Sequence, residues 1–461
     1  MPEAPVILWF RRDLRLDDLP MLAAVDGPAI PVFVLDPEAE VLGAAPKFRL
    51  DLALAAFAAR LEAAGSRLIL RRGHAEQVLR DLARETGARG ARWTRLYDPV
   101  SRARDTGVKA SLRAAGLLAE SHPGHLLHEP WTVTTGSGGP YRVFTPFWKA
   151  VRALPVPPPR TAPPLPAPAH WPASDRLADW HLAAAMDRGA GIVGRWQSPG
   201  EPAALDRLAD FLAGPVQDYA DRRDLLAEEA TSGLSEPLTW GEIGPRRIWH
   251  AGRAAMEAGA RGAEAFLREL VWREFAWHLL YHFPDLARRN WRETWQDFPW
   301  RPDNADAESW RRGQTGEPLV DAAMRQMFVT GRMHNRARMV VASYLTKHLL
   351  TDWRVGAAWF SDCLTDWDPA SNAMGWQWVA GCGPDSAPFF RIFNPETQAA
   401  KFDAGGLYRR YWLDPSGQGA RDWFDAVPRR WRLSPDAPRP APLIPLAAGR
   451  ARALAAYQQA G

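Results

Sequence analysis

Val6-Ile-Leu-Trp-Phe10, five apolar residues followed at once by Arg11-Arg-Asp-Leu-Arg-Leu-Asp-Asp18, is the stretch from which the fold is read. A run this short, without alternation, is a strand buried on both faces. It is not a secretion signal, because charges stand where a small-residue cleavage site would be. Comparable runs recur at 30–35, 67–70 and 92–97, separated by amphipathic stretches near 47–64, 75–87 and 101–116. Strand and helix alternating at this spacing predict a doubly wound parallel sheet, a Rossmann-like α/β domain, with ligands beyond the carboxyl ends of the strands. Neither GxGxxG nor GxxxxGK[ST] occurs in it, so the common dinucleotide and P-loop signatures are missing.

Working outward, 131–200 changes character. TGSGGPYRVFTPFWKA runs into LPVPPPRTAPPLPAPAHWP, too rich in proline for a helix or a central strand. Trp148, Trp171, Trp180 and Trp196 punctuate it, which predicts a connection wrapped against the domains. From 201 the period is helical, near 202–213, 217–229, 262–282, 317–330, 335–351 and 354–363, with no β-rich region. The expected division is an α/β domain at 1–130, a proline-rich linker at 131–200 and an all-α domain at 201–461.

The 461 residues are 46% hydrophobic and 24% charged, a globular composition. No apolar run reaches membrane-spanning length, and two cysteines, Cys363 and Cys382, support neither a disulfide framework nor a zinc site. The expectation is a cytoplasmic chain without membrane or metal. Of 23 tryptophans, 16 lie beyond residue 200, and arginine outnumbers lysine 52 to 5. Guanidinium groups bind phosphate and stack on rings, so this half is suited to a nucleic-acid surface, although genomic base composition accounts equally well for the arginine excess.

Four constellations carry chemistry. Tyr219 and Arg223 precede Thr231-Ser-Gly-Leu-Ser235, a loop of hydroxyls and main-chain amides suited to a diphosphate or, more plainly, to helix capping. Glu269, Trp272 and Arg273 fall at i, i+3 and i+4, placing carboxylate, indole and guanidinium on one helix face or in a surface ion pair. Asn335, Arg336, Arg338 and Met339 crowd into five residues at a helix start. Asp366 and Asp368 precede Asn372, Trp376 and Trp378; with no histidine cluster nearby, hydrogen bonding to a polar cofactor is favoured over metal binding.

These residues lie in seven ordered motifs: LWFRRDLRLDD, TSGLS, WREF, GEPLVDAAMRQ, MHNRARM, NAMGWQW and FRIFNPETQAAKFD. Together they make the chain resemble the photolyase/cryptochrome flavoprotein family, and within it a class I cyclobutane pyrimidine dimer photolyase. The resemblance implies an N-terminal antenna domain and a helical domain holding a U-shaped FAD. It implies that Tyr219, Arg223, Thr231, Ser232, Gly233, Leu234 and Ser235 hold the phosphates and ribityl chain. Arg338 and Asp366 would pair beside the isoalloxazine, Asp368 would meet its polar edge, and Asn372 would face N5. Glu269, Trp272, Arg273, Asn335, Arg336, Met339 and Trp378 would contact a dimer flipped out of UV-damaged DNA. Trp376, Trp353 and Trp300 would carry electrons to an oxidised flavin, plain core packing being the alternative for each. The implied reaction is light-driven: the excited reduced flavin passes one electron to the dimer, the cyclobutane ring opens and the electron returns, with no net redox change. The enzyme is then a deoxyribodipyrimidine photo-lyase, expected to be a monomer; the alternative is a cryptochrome-like photoreceptor without repair activity, disfavoured by the 58 residues that follow the last motif.

Departures bear on details. Some relatives carry Arg where this chain has Gly233, Tyr at Ala276 and Trp at Arg332. Folate-binding relatives have Asn-Glu where this chain has Val100 and Ser101, so an antenna made of 8-hydroxy-deazaflavin or a second flavin is favoured over folate, with Arg11, Arg49 and Asp98 as contacts.

Overall fold

The protein is described from a computed structural model, which covers residues 3–386 and 390–460. Strands β1 (Val6–Phe10), β2 (Ala29–Leu35), β3 (Ile69–Arg72), β4 (Gly90–Thr94) and β5 (Leu118–His122) form one parallel sheet in the order β3-β2-β1-β4-β5. Helices α1 (Ala44–Ala63), α2 (Ala75–Thr86) and α3 (Pro99–Ala114) lie between strands in the chain. Every residue of β1, β2 and β4 is buried, as strands covered on both faces require. The edge strand β5 escapes the sequence reading because LAESH mixes polar residues into a partly exposed edge. Chain order reverses between β1 and β4, which opens a crevice beyond their carboxyl ends.

The proline-rich segment is not wholly irregular, since α4 (Phe144–Val151) is an eight-residue helix placed before the prolines begin. Beyond it the chain lies on the sheet domain, where Ala29 N donates to Pro166 O (2.9 Å) and Asp175 N to Leu70 O (2.9 Å). Trp148 and Trp180 are buried.

The rest is helical: α5 (Glu201–Ala213), α6 (Ser235–Trp240), α7 (Pro245–Glu257), α8 (Ala263–His282), α9 (Pro318–Thr330), α10 (Asn335–Ser343), α11 (Trp353–Cys363) and α12 (Pro369–Ala380), with shorter helices out to residue 460. The helix expected over 217–229 is a single turn, Tyr219–Arg222. The chain leaves the helix to bury Leu226, whose N–H donates to Phe402 O (3.0 Å), while Arg222 turns outward to Glu228. Likewise α10 stops at Ser343 and continues as one π-helical turn, Tyr344–His348, which is wholly buried.

The charged run after β1 joins the two parts. Leu14 N donates to Trp240 O (3.1 Å), and Arg15 donates to Gly241 O (3.0 Å) and Gly124 O (2.9 Å). Gly241 has φ +69°, and a Cβ there would lie 2.1 Å from Arg12 O, so only glycine lets α6 end against this backbone. Arg49 and Glu242, both buried, form a bidentate pair across the same junction. Among the described residues no helix is long and apolar enough to cross a membrane.

Candidate functional site

The hydroxyl loop enters α6 through Leu234, which is buried and makes no side-chain cap bond. Thr231 and Ser235 do not cap the helix either; both are exposed, with Ser232 half-buried between them. The other end of α6 is fixed: Trp240 Nε1 donates to Thr365 O (3.0 Å) and Thr239 Oγ1 to Asp366 O (3.1 Å). Glu236 takes a hydrogen bond from Thr365 Oγ1 and an ion pair from Arg332, which gives Arg332 a structural partner. These contacts carry the loop to the segment that precedes α12.

On that segment Asp366 Oδ2 accepts from Arg338 Nη2 (2.7 Å), and Arg338 Nε donates to Met333 O (2.9 Å). The second oxygen, Asp366 Oδ1, is buried without a partner. An orphaned carboxylate oxygen is unfavourable by roughly 1–3 kcal/mol or more unless an N–H donor meets it, and the N–H edge of an isoalloxazine supplies one, so these residues fit FAD. Asn372 Nδ2 donates to Ala357 O (3.1 Å), leaving its Oδ1 as an acceptor suited to a reduced flavin's N5–H. One oxygen of Asp368 caps α12 through Ser371 N (2.8 Å) and the other accepts from Trp277 Nε1 (3.0 Å). Tyr219 is buried against Phe211 and Phe266.

On α8 the three residues expected on one face separate. Glu269 Oε1 accepts from Arg223 Nη1 (2.6 Å), so Arg223 faces Glu269 and not the hydroxyl loop. Arg273 turns away to His125, donating to its carbonyl (3.0 Å) and approaching its Nε2 (3.1 Å), which removes it from any substrate surface. Trp272 is half-buried and stacks on Phe144 of α4. Ala276 is wholly buried, so the departure there is a packing position. On α10, Asn335 is exposed and Met339 half-buried, and the half-buried Arg336 pairs with Asp224 and covers the Phe402 ring at 4.5 Å. Trp378 is half-buried and donates from Nε1 to Asp385 O (3.1 Å). Phe144 and Asp385, which hold the two indoles, carry no sequence signal, the first being in the segment read as linker.

Trp376 is buried, its Nε1 unpartnered, with its ring over Gly356: a Cβ at 356 would lie 2.0 Å from the indole. Trp353 is buried one turn earlier on α11 and donates to Asn290 Oδ1 (2.8 Å). The Trp300 loop lies beside it, because Arg301 N donates to Leu350 O (2.8 Å) and Asp352 N to Arg301 O (2.9 Å). Trp300 continues into Trp295, with ring centroids 6.1 Å apart. Each of these indoles also packs the core.

A cleft of about 520 Å³ opens at the sheet crevice between Arg11, Asp98, Val100 and Ser101 on one side and Pro284, Arg288 and Trp367 on the other. Arg49 is committed to Glu242 and offers nothing to a ligand. The cleft does have a carboxylate: Glu38 Oε2 accepts from Ser101 Oγ (3.4 Å), and burial pushes Glu38 up to about 7. The same Oε2 is ion-paired with Arg104 Nη1 (2.7 Å).

Two family models match the chain, "DNA photolyase" over residues 6–169 and "FAD binding domain of DNA photolyase" over residues 266–459. A deoxyribodipyrimidine photo-lyase of Agrobacterium fabrum is 46% identical over 471 residues, covering 98% of each chain. Among solved structures, a class III photolyase from Agrobacterium tumefaciens superposes with a TM-score of 0.91 at 45% identity, covering 100% of this chain and 98% of that one. An archaeal photolyase from Sulfolobus tokodaii, described with two FAD molecules, gives 0.80 at 27% identity over 99% and 100%. The motifs predict a class I enzyme, whereas this Agrobacterium tumefaciens relative is described as class III; the family is common to both. With both family models matched in order and the motifs assembled around Asp366 and α8, the chain belongs to the photolyase/cryptochrome family.

Proposed function

We propose that the protein is a light-driven deoxyribodipyrimidine photo-lyase, of the class III type by its likeness to the Agrobacterium tumefaciens enzyme, acting on cyclobutane pyrimidine dimers in UV-damaged DNA. The observation that carries it is Asp366 Oδ1, buried and unpartnered beside Arg338, next to a hydroxyl loop whose hydroxyls cap nothing. Asp366, Arg338 and the hydroxyl loop would hold FAD, which in reduced form would supply light-driven one-electron transfer to and from the dimer, with no net redox change.

The remaining work belongs to the side chains. Asn372 Oδ1 would accept from the N5–H of a reduced flavin, and its amide has no acidic proton to add there. Thr231, Ser232 and Ser235 hold the phosphates and ribityl chain. Trp272, backed by Phe144, and Trp378, held by Asp385, form the two apolar walls for an extruded dimer, which excludes water and stacks on the pyrimidines. Glu269, held by Arg223, offers polar contact to the pyrimidine edges, with Asn335 and Met339 at the rim. Trp376, Trp353 and Trp300 form the path by which an oxidised flavin is returned to the reduced state.

A second, light-harvesting chromophore occupies the crevice beside Arg11 and Asp98. Glu38 there can accept from the N–H groups of a flavin, a deazaflavin or a pterin, and extraction with mass analysis distinguishes them. The enzyme works as a monomer in the cytoplasm. The test is direct: reduced protein is incubated with a dimer-containing oligonucleotide under blue light. Light-dependent loss of dimers is expected, and its absence would overturn the reading.

A further inference from the structure

Arg207, on α5, makes one hydrogen bond, from Nη1 to Gly233 O (2.7 Å) in the hydroxyl loop. No carboxylate among the described residues lies within ion-pair distance of it, although its surroundings are charged: Arg332, Glu236, Arg49 and Glu242 all act on it. Both carboxylates are already taken. Glu236 is paired with Arg332, and Glu242 with both arms of Arg49. Arg207 is therefore the uncompensated cation of this cluster, and burial together with the nearby Arg332 charge makes its protonated form less favourable than usual. A guanidinium with four N–H groups to spare, laid along a loop of exposed hydroxyls, is one anion short.

Gly233 has φ +61°, and a Cβ there would lie 3.0 Å from Arg207 Nη1 and 3.3 Å from its Cδ. A side chain at 233 and the guanidinium of Arg207 thus compete for one volume over the loop. The chain fills it from α5, and the glycine leaves it open.

We propose that Arg207 is a binding residue for the diphosphate of the dinucleotide cofactor, supplying from α5 the positive charge that the loop itself lacks. The inference rests on the assignment of Thr231–Ser235 to the FAD phosphates and goes beyond it by adding a residue outside every motif. Because the guanidinium is tethered to Gly233 O, its position is set before the cofactor arrives, and binding replaces no ion pair. The neighbouring Arg332 adds to the field but keeps Glu236 as its partner.

The experiment measures FAD release from purified holoprotein by the rise of flavin fluorescence on dilution, together with the flavin-to-protein absorbance ratio. Arg207→Gln keeps much of the stem and removes the charge; release about tenfold faster is expected, in line with loss of one charge-assisted hydrogen bond. Rising salt should speed release from the wild type more than from R207Q, since the variant has less charge to screen. In R207A/G233R a guanidinium grows from the loop into the vacated volume, and retention should recover above that of R207A. Circular dichroism and melting of the flavin-free forms separate a folding defect from a binding defect. R207Q that folds normally and releases FAD at the wild-type rate, with an unchanged salt response, overturns the inference. A wild type that holds no flavin at all overturns the functional reading instead.

Discussion

Phe144 lies face to face with Trp272, ring centroids 3.6 Å apart and planes 8° from parallel. One face of the indole is thus covered by a residue of α4, from the segment expected as a linker. Phe144→Leu keeps the bulk and removes the stack. Because such pairs contribute about 0.5–1.5 kcal/mol, lesion affinity should fall roughly threefold to tenfold with flavin content unchanged. Titration with a dimer-containing oligonucleotide checks this, and equal affinity would show that Trp272 needs no backing.

Arg223 and Glu269 act as one unit through their 2.6 Å contact. Arg223→Met and Glu269→Gln should each lower repair efficiency, and the double variant should lose less than the product of the two. A double-mutant cycle on repair quantum yield reads the coupling, expected at about 0.5–3 kcal/mol for residues in direct contact. Additive losses would mean that the two residues serve separate functions.

Trp376→Phe should abolish flavin photoreduction while enzyme reduced beforehand with dithionite repairs nearly as well as the wild type. The reason lies in position: the Trp376 indole is packed over Gly356 of α11, the helix that carries the buried Trp353. Absorbance of the flavin under illumination reports the first outcome and a dimer assay the second. Loss of both would make Trp376 a residue of the fold.

His334 caps α10 by accepting Arg336 N at Nδ1 (3.1 Å), a role open only to the neutral ring, and burial lowers its pKa from 6.5 to about 4. The folded state therefore resists a proton that the unfolded chain takes up. The stability His334 contributes is whole above pH 6.5 and is lost as pH falls through 6.5 toward 4. Glu274, raised to about 7 by burial, acts in the opposite sense over a similar range, so the melting temperature of the wild type alone is not diagnostic. His334→Asn retains a cap acceptor and does not titrate. Its melting temperature should fall less than that of the wild type between pH 6.5 and 4.5, and parallel curves would refute the assignment.

The sheet was readable because a strand buried on both faces must be apolar throughout, and Val6–Phe10 satisfies that with no knowledge of its neighbours. Edge strand β5 was not, since half its surface meets water and its composition is free to be polar. The reading of 217–229 as a helix failed for a related reason: the charges there carry a helical period, but burial of Leu226 against Phe402 is set from 176 residues away. In the site, Arg338 and Asp366 were legible as a pair because the motifs name them. The partners of Arg223, Arg273 and Arg336 were not legible, because neither a motif nor adjacency on a helix decides which of several carboxylates or carbonyls a long side chain reaches.

By itself, then, the sequence determined the α/β and helical halves, the family and the chemical types in the site, because these follow from local period and motif. Tertiary structure alone decided which groups remain free once partners are taken: Asp366 Oδ1 and Arg207 are open, whereas both oxygens of Asp368 and the guanidinium of Arg273 already have partners. Pairing is a property of distances between chain segments, and an arginine's five N–H groups look the same in sequence whether a carboxylate waits 3 Å away or none does.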